Sequence, residues 1–233
     1  MAQLYRLSRR DFLRASGLTA ASMAFTACAP AQAKVEVPVA DANEALQRLR
    51  EGNERYVANK SIDLNESQSR RIELAKGQQP FATIFSCVDS RVPPELIFDR
   101  GLGDLFVIRT AGQVIDKAVL GSLEFGVAEL KIPLLMVLGH EKCGAVKATV
   151  EAVEHNARAE AEINWLVDGI RPAVEAAKTQ SGDLLDNAVK ANVSLTVERL
   201  KGSSILSEAS EKGDLQIVGA RYDLDTGLVE IIV

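Results

Sequence analysis

Apolar positions along the 233-residue chain fall into short continuous runs that alternate with longer amphipathic stretches. Residues 40–60 place Ala45, Leu46, Leu49 and Tyr56 at roughly helical spacing, which predicts a long amphipathic helix. The apolar run 81–86, after Gly77 and Pro80, predicts a buried strand. Pro93-Pro94 predicts the first turn of a short helix ending near Asp99, and Gly101 and Gly103 mark the turn that follows. A second strand is expected over 104–109, a helix over 117–130, and a third strand over 133–138. That third run is continuously apolar, as in a parallel strand covered on both faces. A helix opens at Cys143, and helices follow over about 159–178 and 183–201. Residues 215–220 read as a fourth buried strand. A turn over 223–227 leads into an antiparallel edge strand over 228–233. Trp165 and the later helices are assigned to core or interface.

Strands alternating with helices predict an α/β fold. Its mainly parallel sheet has about four parallel strands plus an antiparallel edge strand, and helices flank it. Sites in such sheets form beyond the carboxyl ends of the strands. The chain shows no internal repeat. Gly101-Leu102-Gly103 lacks the third glycine of a dinucleotide-binding turn.

The first 33 residues follow a different pattern. Arg6 and the run Ser8-Arg9-Arg10-Asp11-Phe12-Leu13-Arg14 precede twelve small or apolar residues, Ser16 to Ala27, with no charge among them. A bilayer span needs about 20 such residues, so this is an export signal rather than an anchor helix. The paired arginines mark the twin-arginine type, which implies a periplasmic destination. Ala31-Gln32-Ala33 offers a cleavage site. Phe25-Thr26-Ala27-Cys28 loosely resembles a lipoprotein box, so lipid on Cys28 and a membrane tether are the competing outcome. Residues 1–33 are therefore read as the signal and 34–233 as one domain. The signal holds four Arg and one Asp, leaving 23 basic against 31 acidic residues in the mature part, with no basic stripe. Nucleic acid is excluded as a partner on that ground, and no further membrane-spanning run occurs.

The chain has three Cys and two His, and three of these five lie in two short motifs. One is Ser86-Cys87-Val88-Asp89-Ser90-Arg91; the other is Gly139-His140-Glu141-Lys142-Cys143-Gly144. Two thiolates and an imidazole make a three-ligand zinc set with the fourth position open, as in catalytic rather than structural sites. Cys87 follows the first strand and His140 the third, so the fold brings the halves together. His140 and Cys143 are spaced to face one ion, and a helix N-terminus favours the thiolate. A Cys87–Cys143 disulfide is the alternative in an exported domain. In an extended segment Cys87, Asp89 and Arg91 point to one side, where Asp89 and Arg91 can pair. Asp89 then either orients a zinc-bound hydroxide or becomes a fourth ligand that closes the site. Two thiolates neutralise the metal, so activity is expected to favour alkaline pH. His155 reads as a solvated helix-end residue.

Together these motifs resemble the β class of carbonic anhydrases, and the similarity covers nearly all of residues 40–233. Phe106-Val107-Ile108-Arg109-Thr110-Ala111-Gly112, Gly121-Ser122-Leu123-Glu124-Phe125 and Ile217-Val218-Gly219-Ala220-Arg221-Tyr222-Asp223 share in it. The resemblance implies reversible hydration of carbon dioxide to bicarbonate and a proton by zinc-bound hydroxide, with one zinc per chain. It matches Cys87, His140 and Cys143 to the ligands and Asp89 with Arg91 to the catalytic dyad. It matches the Gln78 amide, the Gly144 backbone N–H and the Phe106 ring to substrate contacts. Phe125 stands where many relatives have Tyr. A homodimer or higher even oligomer is implied, with both subunits lining each pocket. Two alternatives stay open: hydrolysis of carbon disulfide or carbonyl sulfide on the same scaffold, and a non-catalytic zinc or bicarbonate sensor.

Overall fold

The computed structural model describes residues 39–62 and 65–233. The paired arginines, Ala31-Gln32-Ala33 and Cys28 lie outside the described residues. Five strands form one sheet: β1 (Ala82–Ser86), β2 (Leu105–Arg109), β3 (Leu134–His140), β4 (Gln216–Tyr222) and β5 (Val229–Ile231). Their order is β2-β1-β3-β4-β5. The first four are parallel and β5 pairs antiparallel to β4. Every residue of β1 and β3 is buried, as continuous apolar runs in a sheet covered on both faces require.

The helices are α1 (Ala42–Val57), α2 (Gln68–Leu74), α3 (Pro94–Ile97), α4 (Lys117–Ala128), α5 (Gly144–Glu154), α6 (Ile163–Ala177), α7 (Leu184–Lys201) and α8 (Ser204–Glu211). Their starts follow capping chemistry. The side chains of Asp41, Asp116, Asp183 and Ser203 accept backbone N–H bonds in the first turns of α1, α4, α7 and α8. Core on one face of the sheet gathers Leu49, Ile84, Ile97, Phe98 and Met136; on the other it gathers Phe85, Leu123, Val137, Val193 and Val197. Gly139 lets α7 approach β3, since a Cβ there would lie 2.4 Å from Val193 Cγ2. Among the described residues no helix is long and apolar enough to cross a membrane.

The expected strands and their parallel–antiparallel arrangement are present. Two helices and a single 3-10 turn, Ala111–Gln113, were not expected. The helix α2 buries none of its residues, so it leaves no apolar stripe to read. The helix α8 restarts directly after Gly202, where the pattern reads as a stop. Trp165 is 49% exposed on α6 and so is not a core residue.

The topology fixes where chemistry can happen. From β1 the chain crosses to β2 on one side, then returns over α4 to β3 on the other side of β1. The carboxyl ends of β1 and β3 therefore flank the point where the winding reverses, the usual place for a site in an open α/β sheet.

Candidate metal centre

Cys87 directly follows β1, His140 is the last residue of β3, and Cys143 caps the start of α5. All three are buried, at 4%, 0% and 1% exposure. One ligand atom from each lies within 4.8 Å of the others, the sole such group among the described residues. The two sulfurs are 4.0 Å apart and both thiols are free. A disulfide needs about 2.05 Å, so the bridge is excluded in this state. Tetrahedral zinc, with bonds to sulfur of about 2.3 Å, separates two thiolates by about 3.8 Å.

The histidine supplies an independent test of fit. Its Nδ1 lies 2.8 Å from the Glu141 carbonyl oxygen and is positioned to donate to it. Its Nε2 is buried and has no hydrogen-bond partner. That places the free lone pair on the nitrogen facing the cysteines, the tautomer a metal-binding histidine needs. The residues fit a zinc ion.

The thiols are electrostatically prepared. Cys87 is pulled down to about 4, first by the hydrogen bond from the Cys143 thiol, with help from the Gly112 N–H. Cys143 is pushed up, first by that same hydrogen bond and then by burial. Without metal the pair therefore shares one proton, and binding a divalent cation displaces it.

Asp89 and Arg91 lie at the rim. The Arg91 Nε donates to Asp89 Oδ1 at 2.9 Å and Nη2 to Oδ2 at 2.8 Å. The segment is not extended, as the alternation of residues suggests, but turned. The Arg91 backbone N–H donates to Asp89 Oδ1 at 2.9 Å, and Val92 N–H to the Asp89 carbonyl at 3.0 Å. The turn, rather than strand alternation, brings the two side chains together. Asp89 Oδ2 sits 3.9 Å from His140 Nε2. The Arg91 hydrogen bonds hold the Asp89 carboxyl well below the usual carboxylate range. In this geometry Asp89 is committed to Arg91 rather than to the ligand cluster.

Three expected substrate contacts are distributed unequally. Phe106 lies in β2, with its ring centroid 6.5 Å from that of Phe125, which is 49% exposed. Gly144 opens α5 with its N–H in the first turn, where no intrahelical acceptor exists. Gln78 is exposed and precedes β1, while Cys87 follows it. Five strand residues at about 3.3 Å each separate these ends, so one chain does not bring its own Gln78 to its cysteines.

Two positions near the ligands were missed by sequence reasoning. Arg109, at the end of β2, donates through Nε to the Cys87 carbonyl at 2.8 Å and through Nη2 to the Asp89 carbonyl at 2.7 Å. Gly112 donates its N–H to Cys87 Sγ at 3.4 Å. Both lie inside a segment read only for its resemblance; Arg109, an ionic residue ending an apolar strand beside the first motif, was the available signal.

Comparison with known proteins agrees with this chemistry. The sequence profile described as carbonic anhydrase matches residues 82–229. Carbonic anhydrase 2 of Mycobacterium tuberculosis is 45% identical over 184 residues, covering 78% of this chain and 89% of that protein. The β-carbonic anhydrase CafA of the fungal pathogen Aspergillus fumigatus superposes with a TM-score of 0.65 at 26% identity, covering 82% of this chain and 89% of that one. A tetrameric β-carbonic anhydrase of Sordaria macrospora shares the fold, with a TM-score of 0.65 at 20% identity, 78% of this chain and 93% of that one. A Cys-His-Cys zinc set at the switch point of a mainly parallel sheet, together with this likeness, places the chain in the β class of carbonic anhydrases. These are zinc lyases, and the reaction is reversible hydration of carbon dioxide to bicarbonate.

Proposed function

We propose that Cys87, His140 and Cys143 hold the zinc and that Asp89 and Arg91 act as one unit beside it. When bound, zinc supplies Lewis acidity that makes a water nucleophilic near neutral pH. The observation that carries the reading is Asp89 Oδ2, held by Arg91 and 3.9 Å from the lone-pair nitrogen of His140. Asp89 accepts a hydrogen bond from the attacking water and turns its lone pair toward carbon. Arg91 fixes the carboxylate for that task with a two-pronged hydrogen bond. The Gly144 N–H donates to a substrate oxygen, and the Phe106 ring walls the apolar side of the pocket.

The active form is a homodimer or larger even oligomer. Gln78 reaches a site only as part of a second copy, given its place at the far end of β1. The strand β2 is a sheet edge, and Ile72, Leu102 and Phe125 are 61%, 44% and 49% exposed. Unpaired strand edges and apolar surface are what a partner covers. The tetrameric relative supports the same reading. The twin-arginine pattern supports export of the folded, zinc-loaded enzyme to the periplasm, with cleavage after Ala33.

Stopped-flow hydration by residues 34–233 tests the activity. Rapid turnover lost on chelation and restored by zinc is expected. Hydrolysis of carbon disulfide or carbonyl sulfide with no hydration of carbon dioxide would overturn the reading, as would zinc binding without turnover.

A further inference from the structure

The 3-10 turn Ala111–Gln113 is built in an unusual way. Gly112 has φ 64° and ψ 26°, and Gln113 follows with φ 54°. A left-handed conformation is free for glycine but strained for other L-residues. Such strain persists only where surroundings impose it. Here a Cβ on Gly112 would lie 2.5 Å from Ile170 Cδ1, so the turn is pressed against α6.

Two buried amides hold that turn. Asn192 on α7 is 6% exposed on a buried face otherwise formed by Ala188, Val189, Val193, Thr196, Val197 and Leu200. Its Nδ2 donates to the Gly112 carbonyl at 2.8 Å and contacts Gln113 Oε1 at 3.5 Å. Gln113 is 3% exposed, and its Nε2 donates to the Leu138 carbonyl at 3.0 Å, two residues before His140. A buried amide on an apolar stripe is costly unless its hydrogen bonds are made. These bonds converge on one result: the Gly112 N–H faces Cys87 Sγ at 3.4 Å.

We propose that Asn192 and Gln113 are positioning residues of the zinc centre, holding the Gly112 N–H on the Cys87 sulfur and so setting that ligand's donor strength. Neither touches metal or substrate. The N–H draws electron density from the thiolate and keeps it from swinging out of the site. The chain thereby counters part of the neutralisation that two thiolates impose on the metal. The inference rests on Cys87 being a zinc ligand.

Asn192→Leu keeps the branched shape and the number of heavy atoms and deletes the donor. Gln113→Gly deletes the bond to Leu138 while relieving the left-handed strain, and is the second variant should Asn192→Leu not fold. Val197→Ala loosens the same helix a turn away and controls for packing. Cobalt(II) is loaded into each protein, and the thiolate-to-metal charge-transfer band is recorded; zinc affinity is measured by competition with a chromophoric chelator. In both test variants the band should move to lower energy and zinc affinity should fall by roughly tenfold or more, the range for partners of metal ligands. Val197→Ala should leave both at the wild-type values. Wild-type band and affinity in whichever test variants fold would overturn the proposal, and so would equal changes in Val197→Ala. Failure of the wild-type protein to show a thiolate band at all would instead sink the zinc role of Cys87.

Discussion

Asp89→Asn separates chemistry from architecture at this site. The substitution keeps the side-chain shape and one acceptor for Arg91 but removes the charge. Arg91 is 53% exposed and Asp89 17% exposed, so the pair is largely a surface ion pair. Solvent screening limits its stabilisation to less than about 1 kcal/mol. In a domain of this size that shifts Tm by about 2–4 °C at most. All three zinc ligands remain, so the metal stays. The effect on rate is larger. A hydrogen bond to a charged group contributes about 1.5–3 kcal/mol, and each 1.36 kcal/mol is a factor of about ten in rate. Positioned acid–base groups contribute about 10²–10⁴-fold, so hydration should fall by about two orders of magnitude or more. Because Arg91 holds Asp89 well below the carboxylate range, the group stays ionised throughout neutral and alkaline pH. The expected rise in activity with pH would therefore not come from protonation of Asp89, and Asp89→Asn should lower the whole profile without moving its midpoint. Stopped-flow hydration across pH, with metal content and Tm on the same samples, makes the measurement. Zinc-replete Asp89→Asn turning over within threefold of wild type would refute the dyad's role and leave the pair structural.

Cys87→Ala, His140→Ala and Cys143→Ala should each lose most of the bound zinc, read by elemental analysis after gel filtration; full zinc in all three would refute the ligand set. In the metal-free protein, Cys87 is depressed to about 4 and Cys143 is raised. Ultraviolet thiolate absorbance should therefore report one thiolate from above about pH 4 through neutrality, where an ordinary thiol near 8.5 is protonated, and Cys87→Ser should abolish it; no thiolate at pH 6 would contradict the shared-proton geometry. Arg9→Lys with Arg10→Lys should leave unprocessed protein in the cytosol, and mass spectrometry of the exported wild-type N-terminus should show cleavage after Ala33; undiminished export of the variant, or lipid on Cys28, would refute the respective step.

The sheet was legible because its strands are apolar without interruption. Burial on both faces of β1 and β3 leaves no polar alternation, and helices between strands force parallel pairing. The ligand set was legible because few residue types bind zinc, and this chain has only five Cys and His in all. What sequence could not give were relations set by the backbone. Cys87 to Arg91 reads as alternating strand, yet the Asp89 side chain captures the Arg91 N–H and bends the chain into a turn. Asn192 reads as one polar residue in a helix. Its significance lies in a carbonyl 80 positions away, and no local period encodes that. The helix α2 buries none of its residues fully, so the hydrophobic pattern on which helix prediction rests is absent there.

The metal centre and the dyad are anchored differently, and this bears on how the site works. His140 sits within β3 and Cys143 at the start of α5, both fully enclosed. The Cys87–Val92 segment has left the sheet. Its carbonyls at Cys87 and Asp89 are instead clamped by Arg109, the last residue of the edge strand β2. The side chain of Asp89 is held from the other direction by exposed Arg91. The position of the carboxylate thus depends on the edge of the sheet and on solvent-facing contacts, whereas the ligand positions depend on the core. Perturbing the edge should disturb the dyad before it disturbs zinc. If a second copy covers that edge, as proposed, loss of assembly should misalign Asp89 through Arg109 before it releases zinc.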